Sequence, residues 1–343
     1  VSLWEEIAEQ PAVLERMLAA NAAAAIEVGR RVEAVAPRYA VVVARGTSDN
    51  AARYAQYVWG ARNRLPVALA APSLVGVYGT PPDLSAGLVV GISQSGRSPD
   101  LVAVVEEGRR QGAPTLAITN DPASPLAAAA DHVIDLCAGE ERAVAATKTY
   151  TAQLAAVAML SRAFAGEGPA GPDLAAVAPA VAGVLADPGP LEQLTPVLVG
   201  TDRCAVLGRG FNYATAHEWA LKLQELTYVL AQPFSVADFL HGPVAVVEPG
   251  FPVLAVAVAG PAFEQTRDVL ARLEAERGAR VVAVSDRDDL VAGSRLRVPA
   301  GLAEWLTPIP AIVAAQLFTH RLAVARGLDP DAPRGLRKVT LTR

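Results

Sequence analysis

Short apolar runs alternate with helical stretches along most of the chain. YAVVVARG at 39–46 is a β-branched run ended by glycine, the pattern of a strand buried on both faces. DNAARYAQYVWGAR follows with helical spacing. LVVGIS at 88–93 is a second buried strand, ended by QSGRSPD. LVAVVEEGRRQG then reads as a helix with a polar face and a glycine stop. PTLAITN and HVIDL are further strands with a short helix between them, and TKTYTAQLAAVAMLSRAFAG is a long helix. Leu65 to Pro82 is uncharged and of membrane-spanning length, but Pro66, Pro72, Pro81 and Pro82 make it a strand plus loop.

GEGPAGPD at 166–173 breaks the alternation, and helical segments run on to about residue 195. The pattern then restarts. CAVLGRG, the helix NYATAHEWALKLQELTYVL, the strand VLAVAVAG, the helix FEQTRDVLARLEAERG and the strand ARVVAVSD follow in turn, with a last helix over about 307–326. VVVARGTSDNAARYAQ in the first half matches AVLGRGFNYATAHEWA in the second, and QGAPTLAITND matches RGARVVAVSD, both offset by about half the chain. The alternation predicts an α/β fold of two tandem doubly wound parallel-sheet domains. The expected divisions are a helical lead-in at 1–37, a first domain at 38–165, linker helices at 166–196, a second domain at 197–326 and a tail at 327–343. The copies differ where a ligand would sit, ISQSGRS in the first against VAVAGPA in the second, so one polar site per pair of domains is expected.

A length of 343 residues suits two domains. Hydrophobic content is 52% but aromatic content only 5%, so the core should be built from small side chains. The net charge of −5, with no basic block of five residues, argues against a nucleic-acid reader. The two cysteines, Cys137 and Cys204, allow neither a disulfide framework nor a Cys-rich zinc site, and a reducing setting fits them. The first residues, VSLWEEIAEQP, have no basic segment followed by an apolar one, so no signal peptide is read there. A cytoplasmic location with no membrane partner is the expectation. No His/Asp/Glu cluster has metal-ligand spacing, so no metal is predicted. GRGFNY at 208–213 lacks the third glycine of a dinucleotide fingerprint, and no GxxxxGK[ST] loop occurs, so no nucleotide cofactor is expected.

Ser93, Gln94, Ser95 and Ser98 sit with Gly96 between a strand and a helix. Ligands bind at the carboxyl ends of strands in open α/β sheets, and a helix N-terminus offers unpaired N–H groups to a phosphate. One serine would suffice to cap the helix, and this loop has more polar residues than a cap needs. Thr47 and Ser48 end the first strand at the corresponding edge, where they could bond sugar hydroxyls or cap the next helix. Lys222 and Glu225 stand at i and i+3 on a helix, a spacing that also describes an ordinary surface ion pair. His241, one of four histidines, lies in DFLHGP, held by glycine and proline; a structural and a chemical role both fit.

These pieces together resemble the double SIS (sugar isomerase) family, and specifically the isomerase half of glucosamine-6-phosphate synthase and its stand-alone relatives. The resemblance rests on RGTS at 45–48, SQSGRSPD at 93–100, ATKTYTAQL at 146–154, LGRG at 207–210, EWALKLQELTY at 218–228, DFLHGPVAVV at 238–247 and PRGLRKVTLTR at 333–343. EIAEQPAVLERML looks like the family's lead-in to the isomerase module. A flavodoxin-like sheet in each domain is implied.

The resemblance implies that Ser93, Gln94, Ser95 and Ser98 bind phosphate and that Thr47 and Ser48 contact the sugar. It implies that Glu225 moves a proton between C1 and C2, with Lys222 beside it. His241 would help open the ring, reaching the site from a neighbouring subunit of a homodimer. Lys338 matches the lysine linked to the open-chain ketose. Two departures stand out: Arg97 replaces the glutamate of SQSGE, and Ala146 replaces a serine, leaving a sugar contact from backbone only. A glutaminase domain with its N-terminal cysteine nucleophile is not part of the chain, which begins at Val1. The implied activity is therefore conversion of glucosamine 6-phosphate and water to fructose 6-phosphate and ammonia. The implied ligand is a small sugar phosphate. Alternatives are a fructosamine-phosphate deglycase, another aldose–ketose isomerase, or a non-catalytic sugar-phosphate sensor.

Overall fold

A computed structural model describes residues 2–290 and 295–338. They form two compact units. Of these residues one comprises 12–141, 148–175 and 337–338; the other comprises 2–11, 142–147, 176–290 and 295–336.

The first unit holds a five-stranded parallel sheet: β1 (Tyr39–Val43), β2 (Val67–Leu69), β3 (Gly87–Ser93), β4 (Thr115–Thr119) and β5 (His132–Asp135), in the order β2-β1-β3-β4-β5. All seven residues of β3 are buried, because helices cover both faces of the sheet and leave no polar side for an alternating pattern. Val41, Val43 and Val89 pack against Leu101, Val104 and Val105 of helix Pro99–Arg110. Helices Thr47–Asn63 and Lys148–Phe164 are tied together by Trp59 Nε1, which donates to the Val157 carbonyl at 3.1 Å. The proline-bearing stretch 65–82 folds as β2 and one helical turn, Ser73–Gly76.

The second unit repeats the plan with β6 (Arg203–Gly208), β7 (Leu230–Ser235), β8 (Pro252–Val256), β9 (Arg280–Ser285) and β10 (Arg295–Arg297), in the order β10-β9-β8-β6-β7. Numbered from its own first strand, this is the same 2-1-3-4-5 order as in the first sheet. Two tandem doubly wound α/β domains therefore follow, as the periodicity implied. Register aligns the copies: Val43 pairs with Gly91 and Leu207 with Ala255. The run Ile92–Ser98 is thereby equivalent to Val256–Ala262.

β7 and β10 carry no strand pattern in the sequence. β7 contains Gln232 and Pro233 and lies at the sheet edge, where a proline costs no inner ladder bond. The expected strand VLAVAVAG is shorter than read. It ends at Val256, after which Ala259 N–H donates to Asp286 Oδ1 at 2.7 Å. Helix Pro308–Ala325 is long and apolar enough to cross a membrane by composition, but 78% of it is buried inside the fold, where it packs on helix Tyr213–Thr227.

Candidate active site

In the first sheet the strand order reverses between β1 and β3, which opens a crevice beyond their carboxyl ends. The loop from Ser93 to Ser98 fills one side of it. Gly96 makes the turn possible. Its φ is +62°, and a Cβ there would lie 2.1 Å from Ser124 Oγ, so only glycine fits. Ser93 Oγ accepts from Gly96 N–H at 3.1 Å, which folds the loop back on the strand end. Ser98 is the N-cap of helix Pro99–Arg110, yet its side chain makes no capping hydrogen bond. Its hydroxyl is therefore not engaged in capping this helix. Among the described residues the Gln94 amide side chain has no hydrogen-bond partner; its backbone carbonyl accepts from Asn120 N–H at 3.1 Å and from Thr119 Oγ1 at 3.5 Å. Arg97 is exposed and paired with Asp121 at 3.4 Å.

Thr47 opens helix Thr47–Asn63 rather than ending the strand, and Ser48 beside it is buried. Ser48 Oγ accepts from Gln153 Nε2 at 2.9 Å, so one helix aims the hydroxyl that another carries. The guanidinium of Arg45 grips Asp100 at 2.9 and 2.8 Å, joining the end of β1 to the first turn of the helix after the loop 93–98.

The same unit holds a lysine–carboxylate pair that sequence reasoning missed in part. Lys338 Nζ lies 2.7 Å from Glu141 Oε2. Glu141 is buried and also accepts from Thr149 N–H at 3.1 Å and Thr149 Oγ1 at 2.9 Å. Lys338 was expected; Glu141 was not, because it precedes the ATKTYTAQL motif in a segment with no periodicity. An acid seven residues before the buried Lys148 is the signal that was there to be read.

Lys222, Glu225, His241 and Ala146 belong to the other unit. Lys222 is not the surface residue its spacing suggests. It is 1% exposed, and its Nζ lies 2.5 Å from Glu225 Oε2 and 3.4 Å from Glu218 Oε1. Burial alone would pull the ammonium down, but the carboxylates of Glu218 and Glu225 outweigh it and push Lys222 up to about 12. Glu218 is fully buried, while Glu225 keeps 23% of its side chain exposed. The result is a carboxylate fixed at one end by a buried cation and open at the other.

His241 caps the short helix Val236–Leu240 and is exposed. No hydrogen bond or ion pair joins its ring to Lys222 or Glu225 among the described residues. Ala146 is half-buried in the segment 142–147, whose course is set by Glu6: its carboxylate accepts from Arg142 N–H at 2.5 Å and Ala143 N–H at 3.2 Å. In the second sheet the equivalent of the loop 93–98 reads Ala257, Val258 and Ala259 in place of Ser93, Gln94 and Ser95. It offers a sugar phosphate no hydroxyl.

Two parallel sheets of identical order, with one polar loop at one switch point, define a tandem doubly wound α/β architecture with one candidate polar site. The SIS domain family matches the chain twice, at residues 36–163 and 198–324, and the chain belongs to that family. It is 33% identical, over 98% of its length, to glutamine–fructose-6-phosphate aminotransferase (isomerizing) of Streptococcus pneumoniae, and spans 58% of that protein. It is similar to the crystal structure of the C-terminal domain of glucosamine-fructose-6-phosphate aminotransferase from Francisella tularensis: 26% identity, TM-score 0.85, covering 96% of this chain and 98% of that one. A glucosamine-6-phosphate deaminase from Thermotoga maritima shares the fold, with 21% identity and a TM-score of 0.77 over the whole of both chains.

Proposed function

We propose that the protein is an amino sugar phosphate isomerase of the deaminase type, converting glucosamine 6-phosphate and water to fructose 6-phosphate and ammonia. The observation that carries this reading is the buried Lys222 clamping a half-open Glu225. That arrangement suits a proton carrier, and a sugar-phosphate sensor would not need it.

In this reading the phosphate sits on Ser93, Gln94, Ser95 and Ser98, and Thr47 and Ser48 meet the sugar hydroxyls, with Ala146 contributing backbone only. The phosphate acts as a handle whose binding energy is spent on the reaction at C1 and C2. His241 of a second subunit donates the proton that opens the ring. Glu225 then takes the C2 proton and returns it to C1, which moves the double bond from C1–O to C2–N. Water adds at C2, the C2–N bond breaks and ammonia leaves. Lys338, held by Glu141, stands as the amine that can engage the open-chain sugar. Support for the second subunit's part is the exposure of His241, together with exposed Leu240 and Val246 on either side of it.

The test is ammonia release from glucosamine 6-phosphate with no glutamine present, run beside unphosphorylated glucosamine. The phosphorylated sugar should turn over and the free sugar should be very poor. Comparable turnover of both at low concentration would remove the role of the phosphate loop.

A further inference from the structure

Tyr228 ends the helix that carries Lys222 and Glu225, and it does so with φ +60° and ψ +17°. A left-handed backbone is costly for a bulky L-residue, and helices that end this way usually do so with glycine. Helix Phe263–Arg277 of the same unit follows that rule, closing on Gly278 at φ +66°. Among the described non-glycine residues with positive φ, Ala36, Arg64, Cys137 and Tyr228, the tyrosine alone is aromatic. Ala36 and Arg64 also close helices in this conformation, but only Tyr228 places an aromatic side chain there, and that side chain has a contact to account for it.

The side chain of Tyr228 holds the C-terminal tail. Its Oη accepts from Arg334 N–H at 2.8 Å, and the Arg334 guanidinium lies 3.9 Å from the ring centroid. One aromatic residue thus makes both a backbone hydrogen bond and a cation–π contact to the same tail residue. Just upstream, Asp331 Oδ1 accepts from Leu3 N–H at 2.6 Å and fixes the approach. Lys338 follows Arg334 by four residues. A four-residue segment spans at most about 14 Å, so anchoring Arg334 limits where the lysine can go.

We propose that Tyr228 is a positioning residue: it accepts a strained backbone so that its ring can clasp Arg334 and hold the tail on the course that presents Lys338. A glycine would end the helix more comfortably but would leave the tail unheld. The consequence for turnover rests on the proposed function; the clasp itself does not.

The experiment compares the wild-type protein with Tyr228→Gly, Tyr228→Phe and Arg334→Ala by hydrogen exchange of the amides of 334–338, by thermal melting and by ammonia release. Tyr228→Gly should exchange those amides roughly tenfold or more faster, the loss expected for a hydrogen bond plus a cation–π contact. Its melting temperature should change little, because relief of the left-handed backbone offsets the lost contacts. Its kcat should fall several-fold with KM for the sugar phosphate retained. Tyr228→Phe keeps the ring and should lie between the two, with the Arg334 amide alone fully accelerated. Adding Arg334→Ala to Tyr228→Gly should change little more, since both act through one contact. Unchanged exchange in Tyr228→Gly would overturn the clasp. Faster exchange with wild-type kcat would overturn its positioning role. If the wild type released no ammonia from amino sugar phosphates, the functional reading would fail while the exchange result still judged the clasp.

Discussion

Lys222 lies between two carboxylates that differ in access to water, one fully buried and one at the edge of solvent. A buried ion pair is expensive to break from one side, because the remaining charge loses its partner without regaining water. Lys222→Met should therefore destabilise the protein by about 3–5 kcal/mol in urea unfolding, and Glu218→Gln in the same chain should restore part of that loss. A cost below about 1 kcal/mol would mean that Glu218 is not charged in the fold. The pH dependence has a definite sign. The folded pKa of about 12 is above the ordinary 10.5, so the lysine's contribution is complete below 10.5 and fades as pH rises through 12. Melting curves up to about pH 12 should show an alkaline loss that Lys222→Met lacks. The spacing of Lys222 and Glu225 was legible in the sequence, but their burial was not. An i, i+3 pair looks the same on a surface and in a core, and only the resemblance to a family singled it out. Glu141 was illegible for another reason: it lies in an irregular segment where no period marks a residue as buried.

At the scale of elements, the buried parallel strands were easy to read because both of their faces are apolar. β7 was not, since an edge strand with Pro233 and Gln232 has neither an alternating nor a continuous apolar pattern. The phosphate loop was read as a candidate because its polar residues follow a buried strand. What the sequence alone could not decide was capping against binding at Ser98. The missing cap bond predicts the outcome: Ser98→Ala should weaken sugar-phosphate binding about ten- to a hundredfold, the loss of a hydrogen bond to a charged group. Its melting temperature should not move, whereas loss of a working cap would cost about 1 kcal/mol. Titration calorimetry and melting on the same sample separate the two. Gly96→Ala should abolish binding outright, because Ser124 occupies the space a Cβ needs.

At the scale of the whole molecule, duplication gave two copies of one sheet and only one polar switch-point loop. The second copy carries Lys222, Glu225 and His241. If His241 serves a partner's site, a mixed dimer of one Glu225→Gln chain and one His241→Ala chain carries both lesions in one site and leaves the other intact. Activity should return to about half of wild type per dimer. If the histidine acts within its own chain, mixing restores nothing. The most direct test of the account is a nuclear magnetic resonance time course of glucosamine 6-phosphate with the chain alone, wild type beside Glu225→Gln. Wild type should yield fructose 6-phosphate and ammonium in equal amounts, and Glu225→Gln should bind the sugar but convert it about a hundred- to ten-thousandfold more slowly. An unchanged substrate in the wild-type sample, or equal conversion by the variant, would contradict the account.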